Sequence, residues 1–411
     1  MQDYKLSFNA PLIQPRGMLN SKNTCYMNAI LQPLGHCPPF FNLFRDVGRL
    51  VAHSFNSKTP LVDSMYSLRN AFATLELGEP FAPEYIYETL RQQKKFDSLR
   101  GRQEDADEFL GSLLDALHEE FVASSKGAAD SGDAEDSADS WLEVGKKQKT
   151  CQTRTMDMVE SPVSKMFWGR IRSVLQRTGS RDSATLEPFR SLHLDISSAG
   201  VNSIGDALAN LTSVEELDGM MGIDGSMIRT TKQSLLEKLP PVLVLHLKRF
   251  HYDPVAGIQK LRRRIAYDMQ FRVRSEMVAP ALRGKLPEYT LIGVVYHHGM
   301  YAAGGHYTCD VRRQNGQWIR MDDTSMQPVS ESDVCKTASS AADDASAAGD
   351  DGDGWSTVAS GGLNGWSRTT EGDAYLLFYV DSSLLPESHQ RTAAVATTPR
   401  KRAQNAWGER K

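Results

Sequence analysis

The run NSKNTCYMN at residues 20–28 places Cys25 at the start of an apolar stretch with helical spacing. A thiolate is the nucleophile of cysteine chemistry, and a helix N-terminus stabilises negative charge. Asn20, just upstream, carries an amide that could donate to an oxyanion forming on a carbonyl under attack. Far downstream, GGHYT at 304–308 opens a strand-like run with His306. Its two glycines free the backbone and leave space beside the imidazole. Asp322 and Asp323 close the next run, QWIRM at 317–321. In these roles Cys25 attacks a carbonyl, His306 moves the proton, and Asp322 orients the imidazole. Each signal alone is weak, since a lone cysteine or histidine is more often a satisfied core residue. Together they point to a cysteine hydrolase.

Strand register decides whether His306 and Asp322 can meet. Asn315-Gly316 between the two runs is a hairpin signal. A two-residue turn would pair Gln314 with Gln317 and send His306 and Asp322 to opposite faces. A three-residue loop, 314–316, pairs Arg313 with Gln317, sets His306 opposite Thr324 and Asp322 opposite Thr308. The two side chains then become diagonal neighbours on one face, roughly 7–8 Å apart by backbone. A catalytic pair therefore requires the three-residue loop, with Gly316 left-handed. The same parity favours Asp322 over Asp323 as the partner of His306.

The positioning elements read as helices first and strands later. A helix over 26–35 is kinked or shortened by Pro33 and ended by Pro38-Pro39. Helical patterns follow at 60–75, 83–93 and 104–121, the last with Phe109, Leu110, Leu113, Leu114, Leu117 and Phe121 at three- and four-residue steps. Residues 122–140 are rich in Ala, Ser, Gly and Asp and read as a disordered insertion. The pattern turns strand-like over 166–197 and helical over 203–217. PPVLVLHLKRF at 240–250 reads as a strand buried on both faces. Further strands fit 289–296, 306–313, 317–322 and 374–380, with a second low-complexity segment at 337–373. The fold class is α+β.

Composition narrows the function classes. A chain of 411 residues with 40% apolar content can bury a large core. It contains no apolar run long enough for a transmembrane helix, and MQDYK at its start has no secretory core. Five cysteines, Cys25, Cys37, Cys151, Cys309 and Cys335, form no C-x-x-C pair. That pattern fits a reducing compartment and argues against a disulfide framework. The net charge of −4 is concentrated in two acidic segments, at 130–139 and 343–353. The remainder is near neutral, with no basic stripe for nucleic acid. Residues 383–411, with Arg400-Lys401-Arg402, read as a disordered basic tail.

These residues resemble the ubiquitin-specific proteases, the papain-like deubiquitinases. The stretch 17–28 is similar to their cysteine box, and 304–308 through Trp318 to Asp323 to their histidine box. QEDADEFL at 103–110, LHLKRF at 245–250 and AYLLFY at 374–379 resemble further family motifs. Other stretches, at 141–145, 161–167, 183–189 and 295–299, match one subgroup of the family.

The resemblance implies a catalytic domain over 15–382 after a lead-in of 1–14. It implies a helical thumb at about 15–121, with palm and fingers at about 141–382. It implies Cys25, His306 and Asp322 as the triad, Asn20 at the oxyanion position, and Asp323 as a second carboxylate. Gln103, Asp105 and Glu108 would hold the ubiquitin tail, whose arginines want carboxylates. A solvated helix start is the plainer reading of that acidic stretch. Phe250, His298 and Tyr307 would line the tail's channel, with core packing an equal alternative for Phe250.

Ubiquitin and ubiquitinated proteins are the implied partners, with no nucleic acid, no membrane, a monomer, and a cytoplasmic location with the nucleus as alternative. The chain begins almost at the catalytic domain, so the N-terminal region found in relatives is expected to be absent. Two departures from the family stand out. Lys22 occupies a place usually held by glycine, which bears on whether the oxyanion loop is preformed. The paired cysteines that hold zinc in many members are missing, so no metal and no cofactor are expected. The rivals are a silent ubiquitin-binding module and a hydrolase for another ubiquitin-like protein.

Overall fold

The computed structural model describes residues 4–21, 23–48, 57–73, 78–95, 103–126, 140–144, 151–155, 159–177, 182–217, 229–254, 257–301, 304–335 and 372–386. Lys22, most of the two acidic insertions and nearly all of the basic tail lie outside these residues.

Five helices come first: α1 (Cys25–His36), α2 (Pro38–Gly48), α3 (Pro60–Phe72), α4 (Glu84–Gln92) and α5 (Ala106–Lys126). Strands β1 (Ser140–Val144) and β2 (Cys151–Thr155), short helix α6 (Pro162–Phe167), and strands β3 (Gly169–Arg177), β4 (Ser183–Phe189) and β5 (Ser191–Asp195) follow. Next come α7 (Ile204–Thr212), β6 (Val214–Leu217), β7 (Thr230–Lys238), β8 (Val242–Lys248), β9 (Phe250–Asp253), β10 (Gly257–Lys260) and β11 (Gln270–Arg272). The chain continues through β12 (Glu288–Tyr301), β13 (Gly304–Arg312), β14 (Trp318–Asp322), β15 (Ser325–Val329), α8 (Glu331–Val334) and β16 (Asp373–Asp381).

Eight strands form the sheet that carries the histidine. Seven run in the order β15-β14-β13-β12-β16-β8-β5, and β11 pairs beside β13 on β12. All pairings are antiparallel except β5 with β8. A six-stranded sheet in the order β1-β2-β4-β3-β7-β6 stands apart from it, and β9–β10 form a small hairpin.

Period-two alternation fixes which face of the large sheet meets which core. Val242, Val244, Ile292, Val295, Leu376, Phe378 and Val380 join α1–α6 in one buried cluster. Their neighbours Leu243, Leu245, Leu291, Val294, Leu377 and Tyr379 join a second cluster that includes Leu208 of α7, Ile265 and Met277. β8 and β16 are thus buried on both sides, which is why their sequences are nearly continuous apolar runs.

Helix α1 is buried along its whole length. Leu31 and Leu34 are each 0% exposed, and each such burial stabilises by about 1.5–3 kcal/mol. The helix continues past Pro33, where the sequence suggests a kink or an early stop. Helix α1 ends at His36, before Pro38-Pro39, and the same prolines, read only as a stop, also open α2. Proline suits the first helical turn, where its missing N–H would have no partner anyway. Over 203–217, read as helical throughout, the helix ends at Thr212 and β6 follows. Helix α5 runs into the stretch read as disordered, reaching Lys126. Strand β15 and helix α8 are short and were not legible in the pattern.

Candidate active site

Cys25 is the first residue of α1, buried at 3% exposure. Helix α1 packs against β13, the strand that carries His306. Nε2 of His306 lies 2.6 Å from Asp322 Oδ1, at the end of β14. The imidazole also makes a side-chain hydrogen bond with Cys25. With Nε2 engaged by Asp322, Nδ1 is the nitrogen left for the sulfur. Burial alone would lower the His306 pKa. The bonds to Asp322 and Cys25 outweigh it and raise the pKa to about 10. The same hydrogen bond holds the Asp322 carboxyl below its ordinary range, against half-burial that would raise it.

The hairpin between them takes the register that such a pair needs. Arg312 pairs with Trp318 and Cys309 with Met321. The Arg313 amide donates to the Gln317 carbonyl, and the Gly316 amide to the Arg313 carbonyl. Gly316 has φ +84. The loop is therefore three residues, and His306 and Asp322 share a face. Asp310 and Arg320 pair directly across the same hairpin in a two-pronged contact, 2.8 Å on each arm. Asp310 is 0% exposed and also accepts from the Tyr296 hydroxyl.

Gly305, next to His306, has φ +146. A Cβ there would sit 2.1 Å from the His298 carbonyl oxygen. Only glycine lets β13 approach β12 this closely at the histidine.

Asn20 is fixed at both ends of its amide. Its Oδ1 accepts from the Thr24 amide at 2.8 Å, and its Nδ2 donates to Asp323 Oδ2 at 2.9 Å. The other Asp323 oxygen accepts from Asn28 Nδ2 at 2.8 Å, and the Asp323 carbonyl accepts from the Met18 amide. Asp323 thus ties the loop before Cys25 to the third residue after it. Its backbone is left-handed, φ +50, a conformation aspartate tolerates better than most. Burial raises its pKa, with the two amide donors opposing. The partnership with Asn28 was invisible in one dimension, because the two residues are 295 apart.

His306, Asp322 and Asp323 also offer ligand atoms within 4.8 Å of one another. Those atoms already serve each other and the amides of Asn20 and Asn28, so the cluster reads as a hydrogen-bonded network.

The residues expected around a peptide tail fall into three situations. Asp105 caps α5: its Oδ1 accepts from the Asp107 and Glu108 amides, and its Oδ2 from the Tyr375 hydroxyl. Glu108 is exposed on the first turn, and the Gln103 Nε2 is buried without a partner. Phe250 is half-buried, packing edge-on against His297 and Tyr375. His298 Nε2 lies 2.8 Å from the Thr308 hydroxyl. Tyr307 is 1% exposed and packs against His297 and Tyr375, so it presents no open surface to a ligand as it stands. Lys22 lies outside the described residues, and so does any consequence of it for the loop.

Papain-like cysteine hydrolases share this plan, with the thiol on a helix and the imidazole and carboxylate on a facing antiparallel sheet, and the chain falls in that class. The profile of the family described as ubiquitin carboxyl-terminal hydrolase matches residues 16–379. The chain belongs to the ubiquitin carboxyl-terminal hydrolase family. It is 40% identical to the probable ubiquitin carboxyl-terminal hydrolase 3 of Schizosaccharomyces pombe, over 81% of this chain and 72% of that protein. It is 36% identical to ubiquitin carboxyl-terminal hydrolase 10-B of Xenopus laevis, over 82% of this chain and 47% of that protein. The chain thus spans about half the length of the type 10 relative. Among solved structures, the fold is similar to the SAGA Ubp8/Sgf11/Sus1/Sgf73 DUB module bound to ubiquitin aldehyde. The TM-score is 0.62 at 22% identity, covering 89% of this chain and 69% of that one.

Proposed function

We propose that this chain hydrolyses the isopeptide or peptide bond after the C-terminal glycine of ubiquitin. The observation that carries the reading is the continuous line from Cys25 through His306 to Asp322, with Asn20 held beside it. The Cys25 sulfur, its proton already passed to His306, attacks the glycine carbonyl carbon. The oxyanion is met by the Asn20 amide, which has a hydrogen to spare beyond its bond to Asp323. His306 then protonates the departing lysine amine, leaving a thioester. Water, deprotonated by His306, attacks the thioester and frees the ubiquitin carboxylate and the thiol. Asp322 orients the imidazole and stabilises its charged form throughout.

We assign the tail of ubiquitin to a path between the start of α5 and the β12–β13 pair. The exposed Glu108 suits an arginine of the tail, and the unpartnered Gln103 amide suits a peptide carbonyl. Asp105 contributes charge from its capping position. His298 and Phe250 would border the path, and Tyr307 would form its floor once ubiquitin opens it. In the same reading the helical unit is the thumb, the eight-stranded sheet the palm and the six-stranded sheet the fingers.

A panel of diubiquitins tests activity and linkage together. Wild type is expected to release monoubiquitin, while Cys25→Ala releases none. A ubiquitin bearing a C-terminal electrophile should label wild type at Cys25. No labelling would support a silent binding module. Faster cleavage of another ubiquitin-like conjugate would move the substrate.

A further inference from the structure

Away from the triad, Asp107, His193 and His246 converge on one point. His193 and His246 are register partners on the parallel strands β5 and β8, so their side chains leave the same face of the sheet. Asp107, in the first turn of α5, meets them. His193 Nε2 lies 2.9 Å and His246 Nδ1 3.4 Å from Asp107 Oδ2. One ligand atom from each residue lies within 4.8 Å of the others. Tetrahedral zinc with bonds of about 2.0–2.1 Å holds its ligand atoms about 3.3 Å apart. Small side-chain rotations reach that spacing.

A second observation points to a ligand. Both ring nitrogens of His246 are buried without a hydrogen-bond partner, and so is Asp107 Oδ1. Buried polar atoms are ordinarily satisfied, and the Asp107 contacts with His193 and with His246 Nδ1 leave His246 Nε2 and Asp107 Oδ1 unaccounted for. The His193 side chain is 53% exposed, which leaves a path from solvent. The Ser191 hydroxyl, 3.2 Å from His193 Nε2, is placed to hold a metal-bound water.

We propose that Asp107, His193 and His246 bind one divalent transition-metal ion of the zinc class, with water completing the coordination. Two imidazoles and one carboxylate are a donor set for such ions rather than for calcium or magnesium. The sequence reading expects no metal in the chain, and the proposal departs from it. The ion would lie close to the acidic start of α5. Tyr375 packs edge-on against His246 and donates its hydroxyl to Asp105.

The test uses the full chain, with Cys25 alkylated so that the catalytic thiol takes no metal. Chelator-treated, desalted protein is titrated with zinc by calorimetry, and separately with cobalt(II) while its absorption is followed. One zinc per chain is expected to bind, with visible cobalt bands and no sulfur-to-cobalt charge transfer. His193→Gln and Asp107→Asn should each weaken zinc binding by roughly tenfold or more. His193→Gln, at an exposed side chain, should keep wild-type circular dichroism in chelator. Failure to bind stoichiometrically, equal affinity in wild type and a folded His193→Gln, or a thiolate charge-transfer band would each overturn the proposal.

Discussion

Asn20 lies in the loop before Cys25 with both ends of its amide held. Its amide is oriented by the Thr24 N–H and by Asp323 before any substrate arrives. Asn20→Ala is expected to lower kcat about 100- to 1000-fold on a fluorogenic ubiquitin amide, with little change in KM. An unchanged kcat would remove Asn20 from the oxyanion role. Asp323 holds the amides of Asn20 and Asn28, so in the proposed mechanism it is a positioning residue. Asp323→Ala is expected to lower kcat while leaving alkylation of Cys25 by iodoacetamide close to the wild-type rate. Equal losses in both would mean that it acts on the thiol instead.

The His306–Asp322 pair links the site to pH. The His306 pKa rises on folding from 6.5 to about 10, so its stabilisation is full below about 6.5 and lost as pH climbs towards 10. The Asp322 pKa falls on folding from 3.8, so its stabilisation is present above that value and lost as pH falls through the depressed one. The difference in Tm between wild type and Asp322→Asn should therefore peak between pH 3.8 and 6.5 and shrink towards 10. A flat difference across that range would show that the pair does not titrate as the geometry requires.

Among the elements, the β13–β14 hairpin is the device that brings His306 and Asp322 together. Its three-residue loop was legible only on the condition that His306 and Asp322 meet, since Asn315-Gly316 alone also fits a two-residue turn. Its support was not. Arg320 neutralises the fully buried Asp310, and Arg320→Met leaves that carboxylate uncompensated. A loss of about 3–5 kcal/mol in urea unfolding is expected. A loss under 1 kcal/mol would show that the pair is dispensable. Gly305→Ala should abolish activity, because its Cβ collides with the β12 backbone and forces His306 away. Wild-type kcat in that variant would refute the close approach.

Helix α2 shows the opposite case. Phe40, Phe41, Leu43, Phe44 and Val47 are buried at helical spacing, a pattern present in the sequence. Pro38-Pro39 hid it, because prolines that start a helix and prolines that stop one look alike without the neighbouring structure.

For the whole molecule, the large sheet shares its two faces between the helical cluster and the second core. A ligand spanning the α5 start and the β12–β13 strands should therefore stabilise both. Ubiquitin at about 100 times its Kd should raise the stability of Cys25→Ala by about 2.7 kcal/mol, read as a shift in Tm. Glu108→Lys should reduce that shift. An equal shift in both proteins would take Glu108 out of the interface.

The sequence by itself determined which groups are candidates for chemistry at the site. Residue types, the glycines beside His306 and the period-two runs are local properties, and they fix which groups can react and which face they share. The family motifs, in order along the chain, add the class. Tertiary structure alone decided how those groups are held. Asp323 meets Asn20 and Asn28 across some three hundred residues of chain, Tyr375 closes on the Asp105 cap, and His193 and His246 gather at Asp107. Such contacts depend on how elements pack at long range, and no local periodicity encodes them.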